Sequence, residues 1–102
     1  MPQYMIFARD GTDAGALERR RSARTAHLLR IDPFVRDGSL IFAGATLDDE
    51  GRPTGSAFAV EFNSIEALRD WIAADPYTTQ GVWKDVRIEL MKVGVRNGRI
   101  EP

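Results

Sequence analysis

The sequence predicts one α+β domain of the split βαβ, or ferredoxin-like, type, with an antiparallel four-stranded sheet and both main helices on one face. Apolar residues follow the order strand, helix, strand, strand, helix, strand, with a short extra helix before the last strand. The chain has 102 residues, of which 43% are hydrophobic, and shows no internal repeat. We therefore predict one domain over residues 1–102, with a core over about residues 3–93 and a C-terminal extension over 94–102.

The first strand is predicted over residues 3–9, where apolar side chains occur on both faces. This pattern is typical of a central strand. A polar turn follows at residues 10–13, and Thr12 or Asp13 is expected to cap a long helix over residues 14–36.

The long helix carries one apolar stripe at helical spacing, which we expect to face the core. The stripe consists of Leu17, Leu28, Ile31 and Val35. Arg24 lies in the middle of this stripe and needs a partner, because an unpaired buried charge is costly. Pro33 is expected to kink the helix or to end it near Asp32.

Two strands and a second helix follow. The strands are predicted over residues 40–45 and 56–62, joined by a polar connection over residues 46–55. Asn63 and Glu66 resemble a capping box, which places the start of the second helix.

The second helix is expected to end before Pro76, because a proline biases the preceding residue, Asp75, away from helical geometry. Asp75 is then expected to cap a short helical turn that ends at Gly81. The last long strand is predicted over residues 86–93. After it, Asn97-Gly98 can turn a short terminal ribbon, and the alternative is a loose tail.

Composition excludes several classes of function. Fourteen basic and fifteen acidic residues give a net charge of −1, so no overall field attracts nucleic acid or an anionic membrane. The absence of cysteine excludes disulfides, thiolate catalysis and cysteine-ligated metals. The apolar N-terminal run is too short for a signal peptide, and no run approaches the roughly 20 residues of a membrane span. We expect a cytoplasmic protein without cofactor, metal, nucleic-acid partner or membrane contact.

The strands show apolar residues on both sides, although helices are expected on only one face of the sheet. The other face needs a cover, because a large exposed apolar patch is unfavourable in water. A homodimer is the simplest solution.

The only histidine, His27, and Asp75 form the candidate catalytic site. In a split βαβ fold, residues just after the second helix can approach the flank of the first helix. A carboxylate that accepts a hydrogen bond from one imidazole nitrogen fixes the tautomer. His27 can then act as a general base or acid. The structural alternatives are a satisfied histidine on a helix flank and an aspartate that only caps a helix.

Four further residues are candidates for substrate binding. Arg20 and Arg24 lie one helical turn apart and can hold a carboxylate, phenolate or enolate. Tyr77 can supply a hydroxyl donor, and Gly44 leaves room for a ligand. The alternative for Arg20 is a solvated helix face that it shares with Arg19 and Arg21, whereas Arg24 is the exception because it lies on the apolar stripe.

Three motifs together resemble the YciI-related family, over a region from Tyr4 to about Lys92. They are Arg24-Thr25-Ala26-His27-Leu28, Gly44 after a hydrophobic strand, and Ala74-Asp75-Pro76-Tyr77 followed by Gly81-Val82-Trp83. The resemblance implies a dimeric ferredoxin-like α/β barrel with a His–Asp pair, here His27 and Asp75, in a cleft. Where many members have proline after the glycine of the second strand, this chain has Ala45.

The resemblance further implies chemistry similar to that of muconolactone-isomerase-type and dehydrochlorinase enzymes. We therefore expect a lyase or isomerase that uses acid–base chemistry on an anionic or hydroxylated aromatic-derived small molecule. The alternative is a non-catalytic, ligand-binding or sensing dimer with the same cleft. RNA binding is disfavoured, because residues 58–62 lack the basic-glycine start and the stacking aromatics of RNA-recognition domains. Nothing supplies a signature for haem or flavin.

Overall fold

The computed structural model describes residues 1–102 and has an α+β architecture. Its elements in chain order are β1 (Gln3–Asp10), α1 (Ala16–Arg36), β2 (Leu40–Leu47), β3 (Pro53–Glu61), α2 (Ile65–Ala73), α3 (Pro76–Thr79), β4 (Trp83–Met91), β5 (Val95–Arg96) and β6 (Arg99–Ile100). The four long strands form an antiparallel sheet in the order β2-β3-β1-β4, and β5 pairs with β6. This is the split βαβ arrangement, so the predicted fold class is confirmed.

β1 is a central strand, as its two apolar faces predict. Ile6 lies opposite Phe58 of β3 on one side and Ile88 of β4 on the other. Ile6 is completely buried beneath the helices, whereas Phe7 on the opposite face is 36% exposed. Successive residues of β1 therefore alternate between the core and a sheet face that no helix covers.

The core fills the space between the sheet and the helices. Its members are Tyr4, Ile6, Ala8, Ala23, Ile31, Leu40, Phe58, Val60, Leu68, Ile72, Tyr77, Val82 and Trp83. None of the three helices has the length and apolar character that a membrane span requires.

The apolar stripe predicted for α1 is not its buried face. Of its four residues only Ile31 is buried, while Leu28 is 40% and Val35 is 52% exposed. The face that packs on the sheet contains Ala23, which is fully buried, and Arg20. Small alanine side chains let the helix approach the sheet closely, and the larger apolar residues then lie along the edge of the contact.

The start of α1 also differs from the prediction. The helix begins after Gly15, and no side chain caps it. Asp13, one of the two predicted caps, instead accepts two hydrogen bonds from Arg19 at 2.6 and 2.7 Å, and Thr12 caps nothing. Pro33 does not end the helix, because α1 continues for three more residues to Arg36.

The second helix is capped by Ser64 rather than by Asn63. The Ser64 hydroxyl accepts a hydrogen bond from the Ala67 amide at 3.1 Å. Asp75 caps α3 as predicted, because its carboxylate accepts from the Tyr77 amide at 2.8 Å. Asparagine and serine are both favourable N-cap residues, so the sequence offers two candidates. The residue that comes directly before the first helical residue becomes the cap.

Three strands differ from their predicted bounds. β2 and β3 extend into the polar connection, which shrinks to residues 48–52 because Asp48 accepts backbone hydrogen bonds from Glu50 and Arg52 at 2.9 Å. β4 begins at Trp83, three residues before the predicted start.

The terminal ribbon forms as the Asn97-Gly98 pair predicts, with positive φ at both residues. Arg96 attaches the ribbon to the end of the sheet by a 2.7 Å hydrogen bond to Glu61. The same guanidinium lowers the pKa of the Glu61 carboxyl.

Gly55 of β3 lies so close to β1 that a side chain cannot fit, because a Cβ there would clash with the Ala8 carbonyl oxygen. We expect Gly55→Ala to lower the free energy of unfolding by about 2–3 kcal/mol, measured by urea denaturation. Gly44→Ala in the neighbouring strand is the matched control, because its Cβ would meet nothing within 4 Å. Equal stabilities of the two variants would contradict this packing.

Candidate active site

His27 and Asp75 lie in contact, although 48 positions separate them in the chain. α1 presents His27 towards α3, and Asp75 is the residue that caps α3. His27 Nδ1 lies 2.8 Å from Asp75 Oδ1. The fold thus brings together the two residues that the sequence singles out as a candidate catalytic pair.

Asp75 is only 1% exposed, and both of its carboxylate oxygens accept hydrogen bonds. Oδ1 accepts from the Tyr77 amide as well as facing His27, and Oδ2 accepts from Arg30 Nη1 at 3.2 Å. An ionised carboxylate can only accept, so the proton of a neutral His27 ring must sit on Nδ1. Nε2 then carries the free lone pair, and it has no hydrogen-bond partner within the chain.

Two aromatic rings fix the orientation of the imidazole. The Tyr77 ring stacks on His27 with 3.9 Å between centroids and 7° between planes. Trp83 meets the His27 ring edge-on at 5.8 Å. The His27 side chain is nevertheless 14% exposed, so the ring is held in place and still reached by solvent.

The Tyr77 hydroxyl remains a proton donor at neutral pH. The residue is buried, and burial raises the pKa of its phenol, although Arg20 and Arg24 partly oppose the rise. The hydroxyl makes no hydrogen bond within the chain, and Tyr77 lines the same cleft as His27.

Arg20, rather than Arg24, is the arginine of α1 that faces the core. Arg20 Nη1 donates to both oxygens of Asp10 at 2.8 and 3.0 Å, and Nη2 donates to the Ser56 hydroxyl at 3.0 Å. Its guanidinium also lies 4.9 Å from the centre of the Tyr77 ring. Arg20 lines the cleft, but its charge is already balanced, so its role in substrate binding stays a prediction.

Arg24 is exposed and has no acidic partner, which corrects the expectation that it is buried in the core. A charge at that position costs little, because water solvates it. Arg20 and Arg24 both line the cleft, and Arg24 is the one whose guanidinium donors make no hydrogen bond within the chain.

The cleft lies between α1 and β2 and has a volume of ≈ 420 Å³. His27, Tyr77, Gly44 and both arginines line it, whereas Asp75 lies behind the imidazole. A Cβ atom added at Gly44 would meet nothing within 4 Å, so no other part of the chain packs closely against this glycine. No three His, Cys, Asp or Glu side chains lie close enough together to hold a metal ion.

Sequence reasoning missed Arg30, which holds the second oxygen of Asp75. Arg30 Nη2 also donates to the Trp71 carbonyl at 2.8 Å, and the guanidinium lies 5.3 Å from the Trp71 ring centre. The signal was present, because residues three apart on a helix share a face and Arg30 follows His27 by three. We expect Arg30 to position Asp75 rather than to touch a ligand.

Comparisons with known proteins show the family of this chain. The model of the family described as the YCII-related domain matches residues 2–92. Protein YciI of Escherichia coli O6:H1 is 39% identical over 95 residues, which cover 87% of this chain and 95% of that protein.

Solved structures show the same fold. The 5-chloro-2-hydroxyhydroquinone dehydrochlorinase TftG from Burkholderia phenoliruptrix AC1100, in complex with 2,5-dihydroxybenzoquinone, is 26% identical with a TM-score of 0.77, covering 90% of this chain and 95% of TftG. A dimeric ferredoxin-like protein of unknown function from Jannaschia sp. CCS1 is 15% identical with a TM-score of 0.51, covering 91% of this chain and all of that one, and supports the fold alone.

The two arginines should differ sharply in their effect on stability. Arg20→Met leaves the Asp10 carboxylate, 3% exposed, without its ion pair, so we expect a loss of about 3–5 kcal/mol in the free energy of unfolding. Arg24→Met removes an unpaired, exposed charge and should change stability by less than about 0.5 kcal/mol. Urea denaturation of both variants at pH 7 measures the difference, and a small effect for Arg20→Met would show that the buried pair does not stabilise the fold.

Proposed function

The chain belongs to the YCII-related domain family, and from this premise we propose that it is a small acid–base enzyme, a lyase or isomerase, in which His27 moves a proton. The observation that carries the proposal is the 2.8 Å contact between His27 Nδ1 and Asp75 Oδ1 beside an open cleft. A buried carboxylate that orients an imidazole leaves the opposite ring nitrogen as a positioned base.

His27 Nε2 takes a proton from a carbon or hydroxyl of the substrate. The electron pair of the broken bond forms a new double bond in the substrate. In a lyase this expels a leaving group as an anion, and in an isomerase the Nε2 proton returns to a different atom. Asp75 faces the Nδ1 proton throughout and stabilises the imidazolium that forms between the two steps.

Tyr77 stabilises the oxygen on which negative charge develops, and Arg24 binds an anionic group of the substrate. Arg24 supplies a permanent positive charge with free donors, and Tyr77 supplies a hydroxyl that keeps its proton. The position of Tyr77 on the wall of the cleft beside His27 supports a phenolate or enolate intermediate.

The substrate is proposed to be a small anionic or hydroxylated aromatic-derived molecule. TftG, which shares the fold and 26% of the aligned residues, is a 5-chloro-2-hydroxyhydroquinone dehydrochlorinase and binds 2,5-dihydroxybenzoquinone. The ≈ 420 Å³ cleft lies within the range of about 300–1,000 Å³ that is usual for small-molecule sites.

We also propose that the functional unit is a homodimer formed by the uncovered face of the sheet. Phe7 and Phe42 lie on this face and are 36% and 50% exposed. Buried Ala59 lies on the same face, between Met5 and Phe42 in the sheet. Pairing two copies of this face would remove apolar surface from water.

Phe7→Glu tests the dimer, because it places a charge at the centre of this face without touching the cleft. We expect the wild-type chain to have the mass of a dimer by light scattering at micromolar concentration, and Phe7→Glu to have that of a folded monomer. Leu29→Glu is the control, since Leu29 lies on α1 and is 72% exposed. A wild-type monomer would contradict the proposal.

Substitution of His27 tests the proposed chemistry. With 5-chloro-2-hydroxyhydroquinone as the probe, we expect wild-type protein to release chloride and His27→Gln to do so about 10²–10⁴-fold more slowly, because positioned proton transfer is lost. Circular dichroism should show an intact fold in the variant. In the wild type, the ¹⁵N spectrum of the only histidine should show the proton on Nδ1.

Chloride release at the wild-type rate by His27→Gln would contradict the role of His27. Saturable binding of the probe without release, even at stoichiometric protein, would favour a ligand-binding protein over an enzyme.

A further inference from the structure

The cleft beside His27 continues into a second cavity. This cavity has a volume of ≈ 260 Å³ and lies towards the N-terminal end of α1, between the helix and the β2–β3 hairpin. Arg20, Arg24, Ala45 and Tyr77 line both cavities, so the two adjoin along the groove between α1 and β2. We call the N-terminal part, at Arg21 and Arg24, the basic end.

The basic end has one positive charge that the chain does not balance. Arg20 is paired with Asp10 at 2.8 Å, and Arg21 is paired with Glu18 at 2.6 Å. Arg24 has no such partner, and no Asp or Glu lines either cavity. A single carboxylate would match this guanidinium in charge and in hydrogen-bond geometry.

The other part of the groove, at Leu28, Ile31, Val35 and Leu40, is the apolar end. No charged side chain lines the groove beyond His27 in this direction. Leu28 is 40% and Val35 is 52% exposed, although both belong to an apolar stripe that would normally be buried. Exposed apolar side chains along a groove mark a surface that binds an apolar group.

His27 lies between the two ends. Arg24 is three residues before His27 on α1 and Leu28 is adjacent, so the guanidinium lies about one helical turn from the imidazole on the side opposite to Val35. When a molecule spans the groove, its central part therefore lies at the imidazole, and its two ends lie away from it.

We propose that, among small anionic or hydroxylated aromatic-derived molecules, the cleft prefers a carboxylic acid with an apolar body. Its carboxylate pairs with Arg24, its body packs against Leu28 and Val35, and the carbon or hydroxyl between them lies at His27. This inference rests on the proposed function for the role of His27, and it adds the class of substrate and its direction in the cleft.

Three probes separate the contributions of the two ends. trans-Cinnamate has both a carboxylate and a planar apolar body, cinnamamide has the same body with a neutral head, and acetate has the carboxylate alone. Titration of the full chain, followed on the ring signals of the only histidine, gives a dissociation constant for each. We expect cinnamate to bind at least about tenfold more tightly than either of the other probes.

Variants assign the preference to each end of the groove. Arg24→Gln should weaken cinnamate about tenfold and leave cinnamamide unchanged. Leu28→Asn should weaken cinnamate and cinnamamide by the same factor, and Val35→Asn serves if that variant does not fold. The matched controls are Arg69→Gln, an unpaired exposed arginine on α2, and Leu29→Asn, a leucine that is 72% exposed.

Equal affinities for cinnamate and cinnamamide, or undiminished cinnamate binding by Arg24→Gln, would overturn the inference. Those results would leave proton transfer by His27 standing, because the His27→Gln assay tests it separately. Conversely, the expected affinities together with a His27→Gln variant as fast as wild type would support the binding direction and reject the proposed chemistry.

Discussion

The carboxylate of Asp75 is the group on which the site depends. The residue is only 1% exposed, and a buried charge is tolerated only when hydrogen bonds and opposite charge compensate for lost water. Arg30 supplies the charge, while the Tyr77 amide and the His27 ring supply hydrogen bonds. Because Arg30 and His27 belong to α1 and the amide belongs to α3, one side chain holds two elements together and orients the imidazole.

A second buried ion pair supports the site from the other side. Arg20 pairs with Asp10, contacts the Tyr77 ring and donates to Ser56, which also accepts from Trp83 Nε1 at 3.1 Å. The two aromatic rings that hold His27 are thus themselves held by a polar network beneath them. Such a site needs little rearrangement when charge develops on a ligand, which is what electrostatic catalysis requires.

The sequence predicts the fold and the central pair for physical reasons that are local. Strand alternation, helical spacing and the Asp-Pro step are properties of short segments, and the split βαβ topology then places residue 75 against the flank of α1. The choice between Arg20 and Arg24 is not local. Both are arginines on one helix, and only Asp10 and Ser56, on two neighbouring strands, decide which one is buried.

The same limit explains why the apolar stripe of α1 is not its buried face. Hydrophobic periodicity shows which side chains are unfavourable in water. A bound ligand can cover such side chains as well as a protein core can. The face of α1 that contains Ala16 and Ala23 packs on the sheet. Leu28 and Val35 therefore line the cleft. Ala45 lies where the two cavities meet. With this small side chain between them, the two cavities adjoin along α1, and the shape and charge of the groove fit the proposed ligand.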